Sequence, residues 1–358
     1  AAGVFTRNRV QAAPVRLTRQ RIEVGRCQAV IVNSKNANCC TGSQGMADAG
    51  AMAEAAAREL GISPDLVAVA STGVIGEPLP LAKIESAIPA LAAALSEEAV
   101  QDLAQAIMTT DTVPKVAHRT VQIQDKSFTV VGVAKGAGMI RPDMATLLAF
   151  LWTDAEAQAG TLSSILRPAV DATFNRITID GDTSTNDTVL LLAGGSSNLS
   201  AETPPVKVAL QRAVNEILAE LARALVKDGE GATKLVEIRV RGAAGDADAR
   251  QIADTVANSN LVKTAFFGED ANWGRILAAA GRAGVVFDPE RVDLFFDDVQ
   301  MVKDGRGCGK QAEAKATKVL KRSEFAVTLD LHEGEGRAQV LTCDFSVDYV
   351  RINADYRS

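Results

Sequence analysis

RTVQIQDKSFTVVGVAKGAGMIRPDMATLLAF, Arg119 to Phe150, is the stretch whose reading decides the fold. RTVQIQ and SFTVVGVA are rich in β-branched residues and flank Asp125 and Lys126, which predicts a hairpin. The second strand runs straight into Lys135 and a glycine-rich loop. TLLAFLW, which follows, is too short for a helix and reads as a buried strand. QAVIVN (Gln28–Asn33), LVAVAST (Leu66–Thr72) and TVLLLAG (Thr188–Gly194) read the same way. Helices are predicted for MADAGAMAEAAAREL closed by Gly61, for EEAVQDLAQAIM after a capping Ser96, and for VKVALQRAVNEILAELARALVKDG ending at Gly229. Strands alternating with helices place the chain in the α/β class, and a hairpin among crossovers disfavours a simple doubly wound sheet. The polar stretch GGSSNLSAETPP, Gly194–Pro205, is the clearest linker and a possible structural domain boundary.

With 358 residues, 47% of them hydrophobic, the chain buries a large core and is expected to divide in two. No apolar stretch reaches membrane-spanning length. A net charge of −6 argues against a general nucleic-acid surface, so the arginines of TRNRV and RLTRQR read as a solvated face. Five cysteines, an odd number without metal-type spacing, favour a reducing compartment and hence the cytoplasm. Cys39 and Cys40 are adjacent. A redox pair is one reading, and two small buried residues the favoured one, because vicinal disulfides are strained.

Within KGAGMIRPDMATLLAF, Thr146 stands behind a small residue at the end of a glycine-rich approach. If the Ala145–Thr146 bond were cut, Thr146 would carry a nucleophile and its own base, an α-amine of reference pKa about 8. The cut is chemically self-contained: Oγ attacks the preceding carbonyl, an N-to-O acyl shift gives an ester, and water resolves it. Gly136 and Gly138 suit the turn this needs. A plain loop entering a strand accounts for the same residues. Likewise Ser71, Thr72 and Gly73 read either as a strand-ending turn or as a place where a hydroxyl and an N–H meet at one spot. Lys135 reads as a solvated loop lysine or a compact charge for a carboxylate, and Glu230 as an exposed loop acid or one beside a closely approaching ligand.

The cleavage run resembles the signature of the ornithine acetyltransferase family, the ArgJ type. IVNSKNANCCTGSQG (Ile31–Gly45), VASTGVIGE (Val69–Glu77), MTTDT (Met108–Thr112), ITIDGDTSTND (Ile177–Asp187), KDGEGATK (Lys227–Lys234), GEDANWGRI (Gly268–Ile276) and DYVRINADYRS (Asp348–Ser358) resemble family blocks in the family order. The resemblance implies an α/β fold, a DmpA/ArgJ-like α/β sandwich with mixed sheets and a second α/β domain. It implies self-cleavage between Ala145 and Thr146 into a chain of residues 1–145 and one of 146–358, with Thr146 as nucleophile. Thr72 and Gly73 match the oxyanion hole. Thr109, Lys135, Thr146, Glu230, Asn353 and Ser358 match substrate-binding positions, the last a serine where many relatives have threonine. The implied reaction moves acetyl from N2-acetyl-L-ornithine to L-glutamate in arginine biosynthesis. No cofactor is required, acetyl-CoA is a possible second donor, and the paired chains assemble as a heterotetramer or larger. Relatives carry several tens of residues before AAGVFTRNRV, so a leading segment is expected ahead of Ala1.

Rival motifs fail on their own spacing. The third glycine of a dinucleotide fingerprint would fall at Arg141, and no GK[ST] follows. An EF-hand at Asp180–Asp187 would want glycine at Thr185 and an acid at Leu191. DGDTSTND therefore reads as a hydrogen-bonded turn supporting the site, with no metal. His118 and His332 stand in no triad or metal pattern. The enzyme alternative is a DmpA-type amidohydrolase or aminopeptidase that passes the acyl group to water. A non-catalytic binding protein on the same fold is the alternative from another class.

Overall fold

The computed structural model describes residues 1–141 and 147–355, so Ala145, Thr146 and Ser358 lie outside the described residues. The chain divides into two compact units. The first holds Ala1–Asn175 and Asp182–Leu225, the second Arg176–Gly181 and the described residues from Val226 on. The polar stretch 194–205 is thus no boundary. It lies inside the first unit, where Glu156 N donates to Leu199 O (2.9 Å) and Ala201 N to Glu156 O (2.8 Å), so backbone pairing absorbs its polarity.

The first unit contains strands β1 (Ala2–Phe5), β2 (Ala29–Asn33), β3 (Val67–Ser71), β4 (Lys115–Ile123), β5 (Lys126–Lys135), β6 (Leu148–Thr153) and β7 (Thr188–Ala193). Its helices are α1 (Ala13–Ile22), α2 (Gly42–Leu60), α3 (Leu81–Ala93), α4 (Val100–Ala106), α5 (Ala159–Ala172) and α6 (Pro204–Lys227), whose end passes into the second unit. One sheet runs β1-β7-β6-β5-β4. The β6–β7 pair is parallel and the others antiparallel, so the sheet is mixed. The predicted hairpin is β4–β5, with its turn one residue earlier than expected: Ile123 pairs with Lys126, and Gln124 takes the left-handed conformation (φ 56) that two-residue hairpin turns favour.

β2 and β3 form a separate parallel pair. All of β3 is buried because both its faces are covered. Ala68 and Ala70 share a cluster with Val133, Leu148, Phe150 and Leu190 of the large sheet, while Val67 and Val69 pack with Ala49, Met52, Ala53 and Ala56 of α2. Alanines at i, i+4 and i+7 keep that helix face flat enough for close approach. On the other face of β5, Gly132 leaves room for α6. A Cβ there would lie 2.6 Å from Ile217 Cγ2. The result is an α/β sandwich of helix, strand pair, mixed sheet and helix.

Two sequence expectations shift in register or environment. α4 starts at Val100 rather than at Glu97, because Ser96 caps a preceding turn (Glu98 N to Ser96 Oγ, 3.1 Å). The arginines of RLTRQR are not all solvated: Arg19 donates to Thr6 O (3.1 Å) and Arg21 to Val67 O (2.7 Å), each capping a carbonyl at a strand end.

The second unit is built on β8 (Leu235–Ala243), β9 (Asp293–Phe296), β10 (Val299–Lys303), β11 (Arg306–Gly307), β12 (Glu324–Asp330) and β13 (Gly336–Cys343), in the order β11-β10-β9-β12-β8-β13. Its helices are α7 (Asp246–Ala257), α8 (Asn260–Phe267), α9 (Trp273–Gly281), α10 (Lys310–Leu320) and α11 (Val347–Asp355). Alternation along the strands divides the sheet faces. Val236, Ile238, Val240, Val327 and Leu329 join Ile252, Val256, Phe266 and Leu320 in the core. Glu237, Arg239, Arg241 and Asp330 lie on the opposite face in ion pairs. Lys263 of α8 is fully buried. Its ammonium donates to Thr342 Oγ1 (2.9 Å) and to the Cys343 carbonyl, and lies 4.6 Å from the Phe345 ring centroid. Among the described residues no helix is long and apolar enough to cross a membrane.

Candidate active site

Lys135 is the last residue of β5, where the sheet ends and Gly136 (φ 149) redirects the chain. The side chain is buried, not solvated. Its ammonium donates to Thr109 Oγ1 at 2.7 Å and to Thr72 Oγ1 at 3.2 Å. Three of the residues singled out in the sequence, from three separate blocks, therefore meet at one point. A lysine has no acceptor. Each threonine oxygen that accepts from it keeps its own proton for another acceptor, so Lys135 orients both hydroxyls as donors.

Thr72 follows β3 directly, and Thr72 N donates to Asn33 O at 3.1 Å. Gly73 adopts φ +132 because the NSKNAN loop presses against it. A Cβ would fall 2.5 Å from Asn36 N and closer still to the Lys35 carbonyl carbon. Val74 N donates to Lys35 O (3.2 Å) and Ala37 N to Val74 O (2.9 Å), which clasps the two loops together. The DGDTSTND turn supports this clasp, as its sequence suggested. Asn186 Nδ2 donates to Ser71 O at 2.8 Å and to Ala37 O at 2.7 Å, and Thr183 Oγ1 donates to Arg141 O at 2.9 Å.

Beneath the cluster lies a residue that the sequence reading passed over. Asp111, the acid of MTTDT, is buried, with Lys115 Nζ at 2.7 Å and Gly136 N at 2.6 Å from Oδ1, and Thr109 N at 3.1 Å and Lys135 Nζ at 3.7 Å from Oδ2. Burial pushes its carboxyl up, but the charges of Lys135 and Lys115 and the hydrogen bonds from Lys115 and Gly136 outweigh it and hold the group below the usual carboxylate range. The only local signal was an i,i+4 acid–lysine pair that starts in a motif noted for its threonine and ends three residues beyond it, at Lys115.

In the second unit Glu230 is buried rather than an exposed loop acid, and it accepts from Asn353 Nδ2 at 2.7 Å. The glycine beside it serves the fold. Gly231 (φ +67) admits α11: a Cβ would press on Tyr349 N in its first turn and lie 2.7 Å from Ser346 Oγ just ahead of it, which donates to Gly231 O at 2.6 Å. Glu230 and Asn353, from two separate sequence blocks, thus meet in the second unit.

Cys39 is buried, but Cys40 is exposed with its sulfur 3.9 Å away, so only the first is the small buried residue expected. His332 does have acidic company, Nε2 lying 3.1 Å from Asp293 and Nδ1 3.5 Å from Asp330, residues from two strands that fold beside it. No group of three or more histidine, cysteine or acidic residues among the described residues is placed to hold a metal ion.

The sequence profile of the ArgJ family matches residues 1–358. The chain is 54% identical over 364 residues to the arginine biosynthesis bifunctional protein ArgJ of Syntrophotalea carbinolica, covering 100% of this chain and 91% of that one. It is 52% identical over 359 residues to the protein of the same name from Geobacter sulfurreducens, again covering 100% and 91%. Among solved structures it is similar to the arginine biosynthesis bifunctional protein argJ of Bacillus halodurans, with a TM-score of 0.53 and 40% identity over 57% of this chain and 96% of that one. A profile match from end to end and identity above one half over the full length leave one assignment: the chain belongs to the ArgJ family.

Proposed function

We propose that this chain cleaves itself between Ala145 and Thr146 and then works as a glutamate N-acetyltransferase of arginine biosynthesis. The observation that carries the reading is the buried Lys135 ammonium joined to the hydroxyls of Thr72 and Thr109. Thr146 Oγ attacks the acetyl carbonyl of N2-acetyl-L-ornithine, its freed α-amine taking the proton. The oxyanion forms against Thr72 Oγ–H and Gly73 N–H, and such donors act strongly because they are fixed before the charge develops. The C–N bond then breaks as the Thr146 ammonium passes its proton to the leaving nitrogen, ornithine departs, an acetyl ester remains on Thr146, and the amine of L-glutamate opens it. An ester yields to an amine more readily than the starting amide does, so one difficult exchange becomes two easier ones.

Both substrates carry an α-carboxylate, for which Lys135 is the proposed partner, with Thr109 beside it. Glu230 and Asn353, already hydrogen-bonded to each other, and Ser358 are proposed as further substrate contacts. Acetyl-CoA serves as a second donor on this reading, in keeping with the word bifunctional in the relatives' names. No cofactor is required. The two chains stay together after cleavage, as a heterotetramer or larger, in the cytoplasm.

The test is isotope exchange. Labelled ornithine should enter acetylornithine with glutamate absent, and double-reciprocal plots for the two substrates should be parallel. Exchange that strictly requires glutamate would mean direct transfer in a ternary complex, and Thr146 would lose its role as acetyl carrier.

A further inference from the structure

The geometry points to Asp111 as the positioning residue of this site, the group that brings Lys135, Thr109 and the start of the cleavage segment into a common register. The inference rests on the acetyl-transfer reading above.

A single rigid carboxylate ties together pieces of chain that are far apart in sequence. Oδ1 accepts the Gly136 N–H at 2.6 Å, at the residue where β5 ends and the run toward Ala145 begins. Oδ2 accepts the Thr109 N–H at 3.1 Å. The two donors flank the Lys135–Thr109 hydrogen bond of 2.7 Å, so the carboxylate staples the backbones on either side of it. Lys115 Nζ at 2.7 Å fills a remaining site on Oδ1 and keeps the buried group ionised. Lys135 lies 3.7 Å from Oδ2, outside hydrogen-bond reach but within the carboxylate's field. That separation is the functional point. The two charges form an ion pair without a direct hydrogen bond, so the ammonium is attracted and aligned while it donates to the two hydroxyls.

Asparagine has nearly the same shape with one acceptor oxygen instead of two and no charge. Asp111→Asn keeps either the Gly136 or the Thr109 hydrogen bond, sets an NH2 against the other N–H, and removes the charge that aligns Lys135. The expected consequences are a self-cleavage half-time at least about tenfold longer and a kcat reduced about 10- to 100-fold, as befits loss of alignment of charge-assisted donors.

The decisive measurement counts active sites. Wild-type and Asp111→Asn proteins are allowed to cleave, the fraction that takes an acetyl group from acetylornithine is measured by intact mass, and kcat and KM are expressed per acetylated site. A positioning role predicts a lower kcat per site with KM for acetylornithine changed by less than about threefold, because alignment counts most in the transition state. A purely structural role would lower the number of competent sites and leave kcat per site at the wild-type value, and that result would overturn the inference. If the variant does not fold, the wild-type protein carries the test through amide hydrogen exchange. Gly136 and Thr109 should both be protected, and free exchange at both would overturn it as well. A wild-type protein that takes up no acetyl group at all would instead refute the acetyl-transfer reading.

Discussion

Gly73→Ala tests whether the turn after β3 is shaped for an oxyanion or merely ends a strand. At φ +132 an alanine is strained by about 1–3 kcal/mol whatever surrounds it. Its methyl would also fall 2.5 Å from Asn36 N, and the Lys35–Asn36 backbone has no flexible end with which to yield. Crowding of that kind costs about 1–3 kcal/mol more. The sum is about 2–6 kcal/mol, relieved only by moving the two clasped loops apart. Gly76 supplies the control, since it too has a positive φ (+85) but a Cβ there meets nothing within 4 Å, so Gly76→Ala bears backbone strain alone, about 1–2 kcal/mol. Urea unfolding of both variants isolates the crowding, and intact mass over time with single-turnover acetylation gives the rates of cleavage and chemistry. Gly73→Ala should slow chemistry by about 10²–10³, the usual worth of one oxyanion donor. The reasoning is refuted if Gly73→Ala is no less stable than Gly76→Ala, or if it cleaves and transfers acetyl at the wild-type rate.

Lys135→Ala should impair transfer from acetylornithine far more than from an uncharged acetyl amide, as measured by kcat/KM on each. Equal losses would assign the ammonium to the hydroxyls alone, and arginine should rescue poorly because its planar fork is no compact charge. The folded-state pKa of Asp111 is depressed, so its contribution to stability is complete above the unfolded value near 3.8 and is lost as pH falls through the folded value. Urea titrations from neutral pH down to about 3 should therefore show the stability gap between wild type and Asp111→Asn constant at first and shrinking below pH about 4. A gap that widens with acid would contradict the sign. In the second unit, burial pushes the Lys263 ammonium down. Lys263→Ala removes a buried side chain and strands the Cys343 carbonyl, so it should lower stability by about 2–5 kcal/mol, and Lys263→Met should recover part of that by filling the volume.

How far the site was legible depended on the kind of signal. β3 and the hairpin were readable because VAVAS and SFTVVGVA have the period and branching of strands, whereas the turn at Gly73 read equally well as a plain strand end, since its positive φ is set by the Lys35–Asn36 backbone that only the fold brings near. Asp111 was missed although it lies two residues from a predicted contact. Its importance comes from Gly136 and Lys135, which reach it only through the fold, and the one local signal, Lys115 four residues on, is equally common between surface residues. The division of the chain was misplaced for a related reason. GGSSNLSAETPP has the composition of a linker, but Glu156 supplies backbone partners that composition does not show. The burial of Glu230 was likewise hidden, because its partner Asn353 lies at the far end of the chain.

Denaturing mass spectrometry after brief exposure to acetylornithine tests the central claim most directly. Two chains are predicted, split between Ala145 and Thr146. The chain that begins at Thr146 should be heavier by one acetyl group, and that group should disappear on addition of glutamate as N-acetylglutamate forms. Thr146→Ala should give a single unbroken chain with no adduct. An unbroken wild-type chain, or an acetyl group carried on any residue other than Thr146, would contradict the account.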